Sequence, residues 1–188
     1  LIDSLTKELN IDKRRIYATG ISNGGIFSYR LACEMTDKIA AIAPVIGSMP
    51  EGFSARCSPS RPISVLAINS IQDPLLPYKG GEVKSLGVQL GKIASVAETI
   101  SFWVACNGCS AKPTVEKIPV LVDDGTAIQK ETYGKCKNDT EVILYSIEGA
   151  GHTWPSGYQY LPALWVGKTS KNMDANTVIW DFFKRHSL

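Results

Sequence analysis

A Gly-Ile-Ser-Asn-Gly segment at positions 20–24 constrains the fold of this chain more than any other feature. The apolar residues 16–19 before it favour a β-strand, and residues 26–32 after it favour a helix. A cluster of glycine, serine and asparagine is by itself usually only a turn. A serine between two glycines at a strand-to-helix junction, however, is the layout of a nucleophile elbow.

This layout predicts a role for Ser22 as a nucleophile. The sharp turn would push the serine hydroxyl out of the backbone, and we expect a side chain at Gly20 or Gly24 to crowd it. The helix that follows directs free backbone N–H groups at the same point, where an oxyanion would form. The N–H of Asn23 is the oxyanion donor that the sequence identifies.

A serine nucleophile needs a base, and the chain has two histidines, His152 and His186. His152 lies in a glycine-rich loop, residues 148–155, directly after the strand-like run at 142–147. A loop at the end of a strand is a suitable place for a catalytic imidazole. His186 lies two residues from the end of the given sequence, in a predicted last helical turn where the helix dipole favours a cation. His152 is therefore the predicted base.

The predicted acid is Asp73, which follows the apolar run at residues 63–68. An Asp-Pro pair is also a common turn, so position alone does not decide its role. The order Ser, Asp, His along the chain is that of α/β-hydrolases, and it favours Asp73. Asp123 and Asp124 are weaker candidates, because Asp-Gly at 124–125 indicates a hairpin turn.

These motifs resemble the feruloyl esterase and polyhydroxybutyrate depolymerase-like family of secreted α/β-hydrolases. The resemblance covers nearly the whole chain and implies Ser22 as nucleophile, Asp73 as acid and His152 as base. It departs from the family at residues 69–70, where Asn-Ser replaces the usual His-Gly ahead of the acid. The segments that carry it are residues 16–25, 29–34, 42–45, 73–78, 107–110 and 151–155.

The family resemblance also implies several strands ahead of the elbow, whereas this sequence starts with a predicted helix, residues 1–10. Its apolar face is formed by Leu1, Ile2, Leu5 and Leu9. Without those strands, the elbow strand at 15–19 would present an open edge. We therefore expect an N-terminal segment outside this sequence, or a second subunit in a homo-oligomer, to complete the sheet and supply a second oxyanion donor.

Alternating strand and helix patterns predict one α/β domain over residues 1–188, an α/β-hydrolase fold represented by its C-terminal part. A mostly parallel sheet should carry helices on both faces. Glycine- and proline-rich loops at 47–61 and 74–86 should form the rim of a pocket. The predicted helices are residues 1–10, 24–35, 95–106 and 174–186, and the predicted strands are residues 15–19, 39–46, 63–69 and 142–147.

The composition excludes several functional classes. The 188 residues are 44% apolar and 20% charged, which is ordinary for one globular domain. A net charge of +2 with no basic block gives no indication of nucleic-acid binding. No apolar stretch approaches the roughly 20 residues of a membrane span. We expect no metal, no cofactor and no membrane partner.

Five cysteines suggest disulfide bonds and hence an oxidising, extracellular compartment. The first expected pair is Cys109–Cys136, because the segment between them resembles a surface hairpin that a bridge would anchor. The second is Cys33–Cys57, which leaves Cys106 over. Cys-Asn-Gly-Cys at 106–109 is formally a metal or redox motif, but it lacks a second such pair. Reduced cysteines packed in the core are the remaining alternative.

Aromatic residues cluster just after the predicted base: Trp154, Tyr158, Tyr160 and Trp165. They are explained either by ordinary packing or by an aromatic wall that stacks on a phenolic acyl group or a sugar. The family resemblance favours the wall, at least for Trp154. We take Trp154 and Tyr158 as candidate substrate-binding residues.

Together, these patterns predict a serine carboxylester hydrolase that acts through an acyl-enzyme on feruloyl or related aromatic or short-chain esters, free or linked to a polymer. A polyester depolymerase and an acetyl xylan esterase are alternatives within the same chemistry. An inactive binding module that retains the hydrolase scaffold is the alternative from another class.

Overall fold

The computed structural model describes residues 1–85 and 88–188. The strands are β1 (Tyr17–Ile21), β2 (Ala41–Val45), β3 (Ser64–Ser70), β4 (Gly81–Ser85), β5 (Val88–Ile93), β6 (Thr114–Ile118), β7 (Ala127–Tyr133) and β8 (Val142–Glu148). The α-helices are α1 (Ile2–Glu8), α2 (Asn23–Glu34), α3 (Val96–Cys106), α4 (Ala163–Val166) and α5 (Ala175–Phe183). Short 3₁₀ turns lie at Phe53–Arg56 and Lys137–Asp139.

Within the described residues, the main sheet runs in the order β1-β2-β3-β8-β7-β6. The strands β1, β2, β3 and β8 are parallel, and the β6–β7 hairpin extends the sheet antiparallel to β8. The four predicted strands and four predicted helices are all present, with ends shifted by a few residues. The prediction of a mostly parallel α/β sheet is confirmed.

Two apolar cores cover the two faces of the sheet. Along β3, Leu66 and Ile68 pack into one core and Val65 and Ala67 into the other, because successive side chains point to opposite faces. Helix α5 closes the first core, and helices α2 and α3 close the second. Every residue of β3 is buried, which explains its nearly continuous apolar sequence.

The β6–β7 hairpin carries the turn predicted at residues 124–125. The Asp124 carboxylate accepts hydrogen bonds from the backbone N–H and the hydroxyl of Thr126, and Gly125 has a positive φ of 74°. The disulfide bonds Cys109–Cys136 and Cys33–Cys57 are both present, and Cys106 is free. The first disulfide lies at the base of the hairpin, where the prediction placed it.

One expectation about a peripheral segment is wrong. Residues 74–86 were expected to be a loop, but β4 begins at Gly81 and pairs antiparallel with β5 in a separate ribbon; position 86 lies outside the described residues. Of the apolar residues of α1, Ile2 contacts a core, whereas Leu5 and Leu9 are exposed. Spacing identified this helix but not what its apolar face packs against.

Strand β1 lies at the edge of the main sheet and pairs on one side with β2. Its residues are half-buried or exposed, whereas β2 beside it is buried throughout. Among the residues described, no helix is long and apolar enough to cross a membrane.

Candidate active site

Ser22 occupies the sharp turn between β1 and α2. Its backbone has φ 58° and ψ −118°, a region that residues with a side chain rarely adopt. The turn is held on both sides: the Ser22 N–H donates to Val45 O at 2.9 Å, and the Ile26 N–H donates to Ser22 O at 2.9 Å. Strand pairing and the first helical hydrogen bond together impose the strained conformation that the elbow motif predicts.

The two glycines of the motif are not equivalent. A Cβ on Gly20 would lie 2.9 Å from Gly24 Cα, so strand and helix can meet only without a side chain there. A Cβ on Gly24 would have nothing within 4 Å, so the expectation that a side chain at Gly24 crowds the turn is wrong. The other close approach is at Gly25, where a Cβ would lie 2.9 Å from Val45 O.

Asp73 lies in the loop after β3, and its side chain is only 2% exposed. One carboxylate oxygen, Oδ1, accepts the backbone N–H groups of Leu75 at 2.7 Å and Leu76 at 2.9 Å. The other, Oδ2, is 2.8 Å from Nδ1 of His152. Since both oxygens are held, the carboxylate presents a fixed acceptor to the imidazole.

His152 lies in the loop after β8 and is 5% exposed. Its backbone N–H donates to Val166 O. Ser22, Asp73 and His152 follow β1, β3 and β8, three parallel strands whose carboxyl ends meet at one edge of the sheet. At this edge, the structure joins Asp73 to His152 by a hydrogen bond. Among the described residues, Ser22 and His152 share no hydrogen bond.

His186 lies at the opposite end of the sheet. Its Nδ1 is 3.2 Å from the hydroxyl of Ser64, the first residue of β3, and its Nε2 is 3.0 Å from a carboxylate oxygen of Glu141, just before β8. Its carbonyl accepts the hydroxyl of Tyr17 at 2.8 Å. These contacts attach the end of α5 to the sheet, and they give His186 a structural role.

A cavity of about 520 Å³ opens beside Ser22. It lies between the start of α2 and the β4–β5 ribbon, so the segment wrongly expected to be a loop forms one wall. The N–H of Asn23, as the first residue of α2, has no partner within the helix. The cavity is lined by Ser22, Asn23, Ile26, Pro50, Leu76, Val83, Leu90, Gly91, Lys92 and Ile93.

The predicted aromatic residues lie elsewhere. Trp154 donates its indole N–H to Asn176 at 3.1 Å and lines a different cavity, between β1 and α5. Tyr158 is 87% exposed. Neither residue lines the cavity beside Ser22, and their role in substrate binding stays a prediction.

Sequence reasoning missed the contact of Tyr160 with the predicted base. The Tyr160 hydroxyl donates to the backbone carbonyl of His152 at 3.0 Å. Burial, and secondarily the negative charge of Asp73, raise the pKa of Tyr160. No periodicity marks this residue, because the chain reaches the contact through an irregular loop.

Among the described residues, no group of three or more His, Cys, Asp or Glu side chains is arranged to hold a metal ion. The site presents a hydroxyl on a strained turn, an imidazole held by a carboxylate, and the backbone N–H at the start of α2.

Comparisons with known proteins place this fold in a class. A solved structure described as a thermostable esterase matches all of this chain and 35% of its own length, with a TM-score of 0.54 and 16% sequence identity. The architecture is that of an α/β-hydrolase. No protein-family model matches the chain.

Curated relatives refine the class. The putative esterase NocK of Nocardia uniformis subsp. tsuyamanensis is 32% identical over 97% of this chain. Feruloyl esterase B of Piromyces equi is 29% identical over the full chain. A bifunctional acetylxylan esterase/xylanase, XynS20E of Neocallimastix patriciarum, is 38% identical over 42% of it.

The chain is thus related to the feruloyl-esterase-like α/β-hydrolases, as its motifs predicted. It spans about half the length of these relatives or less: 54% of NocK, 30% of feruloyl esterase B and 11% of XynS20E.

Proposed function

We propose that this chain carries the catalytic triad of a serine carboxylester hydrolase. The observation that carries the proposal is the buried Asp73–His152 hydrogen bond of 2.8 Å, at the same edge of the sheet as the strained Ser22. The esterases among its relatives support the same chemistry.

In the proposed mechanism, Ser22 Oγ attacks the ester carbonyl and Nε2 of His152 takes its proton. Asp73 holds the imidazole and stabilises its charged form. The Asn23 N–H donates to the oxyanion of the tetrahedral intermediate. The alcohol leaves with the proton from His152, and water then hydrolyses the acyl-enzyme by the same steps. The missing Ser22–His152 hydrogen bond should form in the substrate complex, since such bonds often tighten there.

The cavity beside Ser22 is the proposed acyl site. Its lining is largely aliphatic, with Ile26, Leu76, Val83, Leu90 and Ile93, and Lys92 places a cation on it. Apart from Lys92, the apolar lining and the volume of about 520 Å³ suit a feruloyl or another aromatic or short-chain acyl group. The feruloyl esterases among the relatives support the aromatic acyl group.

Two related activities remain alternatives. The acetylxylan esterase/xylanase relative favours a small acetyl group on a polysaccharide. A polyester depolymerase would use the same triad. Comparing kcat/KM for methyl ferulate with a series of p-nitrophenyl esters from acetate to octanoate distinguishes them. Highest efficiency on the acetate ester would contradict the feruloyl assignment.

The triad is tested in the intact protein by Ser22→Ala and His152→Ala. Each should lower kcat by at least about a thousandfold, and the double variant should lose little more, because triad members act as a unit. His186→Gln is the matched control and should keep most of the activity. A His152→Ala enzyme that retains a tenth of the wild-type rate would show that the base is elsewhere. Failure of a serine-directed phosphonate to label Ser22 in the wild type would favour the inactive binding module.

An extracellular location is the second part of the proposal. It rests on the disulfide bonds Cys33–Cys57 and Cys109–Cys136, which persist in oxidising compartments. Peptide mapping without reduction should find both pairs in the protein isolated from its natural source. Five alkylatable thiols would contradict it.

A further inference from the structure

Residues 153–169, the return loop, leave His152 and fold back against it. The backbone N–H of His152 donates to Val166 O, and that of Gly151 donates to Lys168 O at 2.9 Å. The hydroxyl of Thr153 donates to the same Lys168 carbonyl at 3.1 Å. Residues 166–168 therefore lie directly beside residues 151–153, and their carbonyl groups hold the backbone around the predicted base.

These two segments are in direct backbone contact at Gly151 and Gly167. A Cβ on Gly151 would overlap Val166 O and Gly167 Cα, and a Cβ on Gly167 would overlap Gly151 Cα. Gly167 also has a positive φ of 78°, which disfavours other residues. Such close contact leaves little freedom for His152 to shift relative to the return loop.

The side chain of Gln159 connects different parts of the return loop by hydrogen bonds. Its amide nitrogen donates to Leu161 O at 2.8 Å and to Gly167 O at 3.0 Å. Its amide oxygen accepts the backbone N–H and the hydroxyl of Thr169, both at 2.9 Å. Four hydrogen bonds from one side chain define where the next residue, Tyr160, is held.

Tyr160 connects the return loop to the base itself, through the 3.0 Å hydrogen bond from its hydroxyl to the His152 carbonyl. His152 is then held at three points: its N–H by Val166, its carbonyl by Tyr160 and its ring by Asp73. The two backbone contacts fix the position of the His152 main chain, and the hydrogen bond to the Asp73 carboxylate fixes the orientation of the imidazole ring.

We propose that Tyr160, held in place by Gln159, is a positioning residue that fixes the His152 imidazole for proton transfer with Ser22. The proposal rests on the triad proposed above. It assigns a kinetic role to a tyrosine that never touches the reacting atoms. Because Tyr160 is 46% exposed, water replaces part of the lost contact when its hydroxyl is removed, and the effect is moderate.

The test is Tyr160→Phe in the intact protein, assayed on a nitrophenyl ester that the wild type hydrolyses. The ring is kept, so the fold and the acyl cavity should not change. We expect kcat to fall about three- to tenfold, with KM within twofold of wild type, since a small misplacement of a catalytic group lowers the rate of the chemical step. Tyr133→Phe is the matched control, because it removes a hydroxyl bonded to Glu131 on β7.

Counting active sites separates positioning from stability. Complete labelling of Ser22 with a serine-directed phosphonate should report the same number of sites in Tyr160→Phe as in wild type, with a slower turnover per site. Fewer sites that turn over at the wild-type rate would mean a structural role, and would overturn the proposal. Unchanged kcat in Tyr160→Phe, when the wild type is active, would overturn the positioning role alone.

Gln159→Glu provides a second variant. It keeps the oxygen that accepts from Thr169 but replaces both donors to Leu161 and Gly167 with an acceptor, which loosens the return loop from within. Its kcat should fall by at least as much as that of Tyr160→Phe, again with little change in KM. A Gln159→Glu enzyme with wild-type kcat would contradict the proposal. No turnover by the wild-type protein would overturn the proposed function itself, and this inference with it.

Discussion

At the scale of single residues, the elbow depends on its two motif glycines in different ways. Gly20 faces the backbone of Gly24 at a distance that excludes a methyl group, whereas Gly24 lies in the first turn of α2 and faces open space. The motif spacing alone treats these positions as equal. The structure separates them, and the difference is measurable.

We therefore expect Gly20→Ala to lower the free energy of unfolding by more than about 2 kcal/mol, because backbone must move to admit the Cβ. Gly24→Ala should leave stability unchanged or raise it by up to about 1 kcal/mol, since alanine favours a helix over glycine. Urea unfolding followed by circular dichroism measures both. Equal losses for the two variants would contradict this difference.

A second residue-scale prediction concerns Glu141, which holds the end of α5. Burial opposes its charged form, but hydrogen bonds from His186 and Arg185 outweigh that effect and leave the pKa of Glu141 below its ordinary value. A carboxylate with a lowered folded-state pKa stabilises the fold at neutral pH, and this contribution is lost as the pH falls through that lowered pKa.

Glu141→Gln should accordingly lower Tm at pH 7 by roughly 2 to 4 °C, corresponding to about 1 kcal/mol. The difference between variant and wild type should shrink at acid pH, as the wild-type carboxylate becomes protonated. Thermal unfolding of both proteins from pH 3 to 7 checks this. A difference in Tm that does not depend on pH would contradict the charged interaction.

Sequence reasoning at this scale identified the residues that carry the proposed chemistry and missed a residue that contacts one of them. Asp73 was found because it follows a buried strand in the order Ser, Asp, His, and the structure joins it to His152. Tyr160 acts through a backbone carbonyl across an irregular loop, which no spacing rule detects. Trp154 and Tyr158 were proposed from aromatic character and, for Trp154, from the family resemblance, and neither specifies the direction of a side chain.

At the scale of elements, apolar periodicity was sufficient for the buried strands and helices. Strands β2, β3 and β8 are almost wholly buried, so their apolar residues are nearly continuous and unambiguous. The β4–β5 ribbon is mostly exposed and interrupted by glycine, and its sequence therefore resembles a loop. The ribbon lines the cavity beside Ser22 because of where it packs in the folded protein, and the local sequence pattern does not specify that position.

The disulfide Cys109–Cys136 provides the element-scale prediction. It links the end of α3 to the end of the β6–β7 hairpin, across a sequence separation of 27. Replacing both cysteines with serine should cost about 3 kcal/mol through the freed unfolded chain, a drop in Tm of roughly 6 to 12 °C. Cys106→Ser is the control and should leave Tm nearly unchanged, because that thiol is free. Equal Tm values for the double variant and the control would contradict a stabilising bridge.

At the scale of the whole molecule, strand β1, which leads into Ser22, lies at one side of the sheet. Among the described residues β1 pairs with β2 alone, and Thr19 is exposed at the middle of the strand. An open edge beside an active site invites pairing with another strand. NocK, of which this chain spans 54%, has additional sequence of comparable length. We propose that a strand from outside these residues, in the same polypeptide or in a second copy, covers β1 and brings a further oxyanion donor.

Hydrogen exchange in the intact protein tests this proposal at individual amides. The Ser22 N–H donates to Val45 O of β2, and strand amides alternate in direction, so the N–H groups of Thr19 and Ile21 point away from β2. If another strand covers β1, these two amides should exchange at least about a thousandfold more slowly than exposed amides. Light scattering on the same sample then distinguishes the two sources, since a monomer requires the strand to come from its own chain. Rapid exchange at both amides in a stable, active protein would show that β1 works as a free edge and that the elbow needs no neighbour on that side.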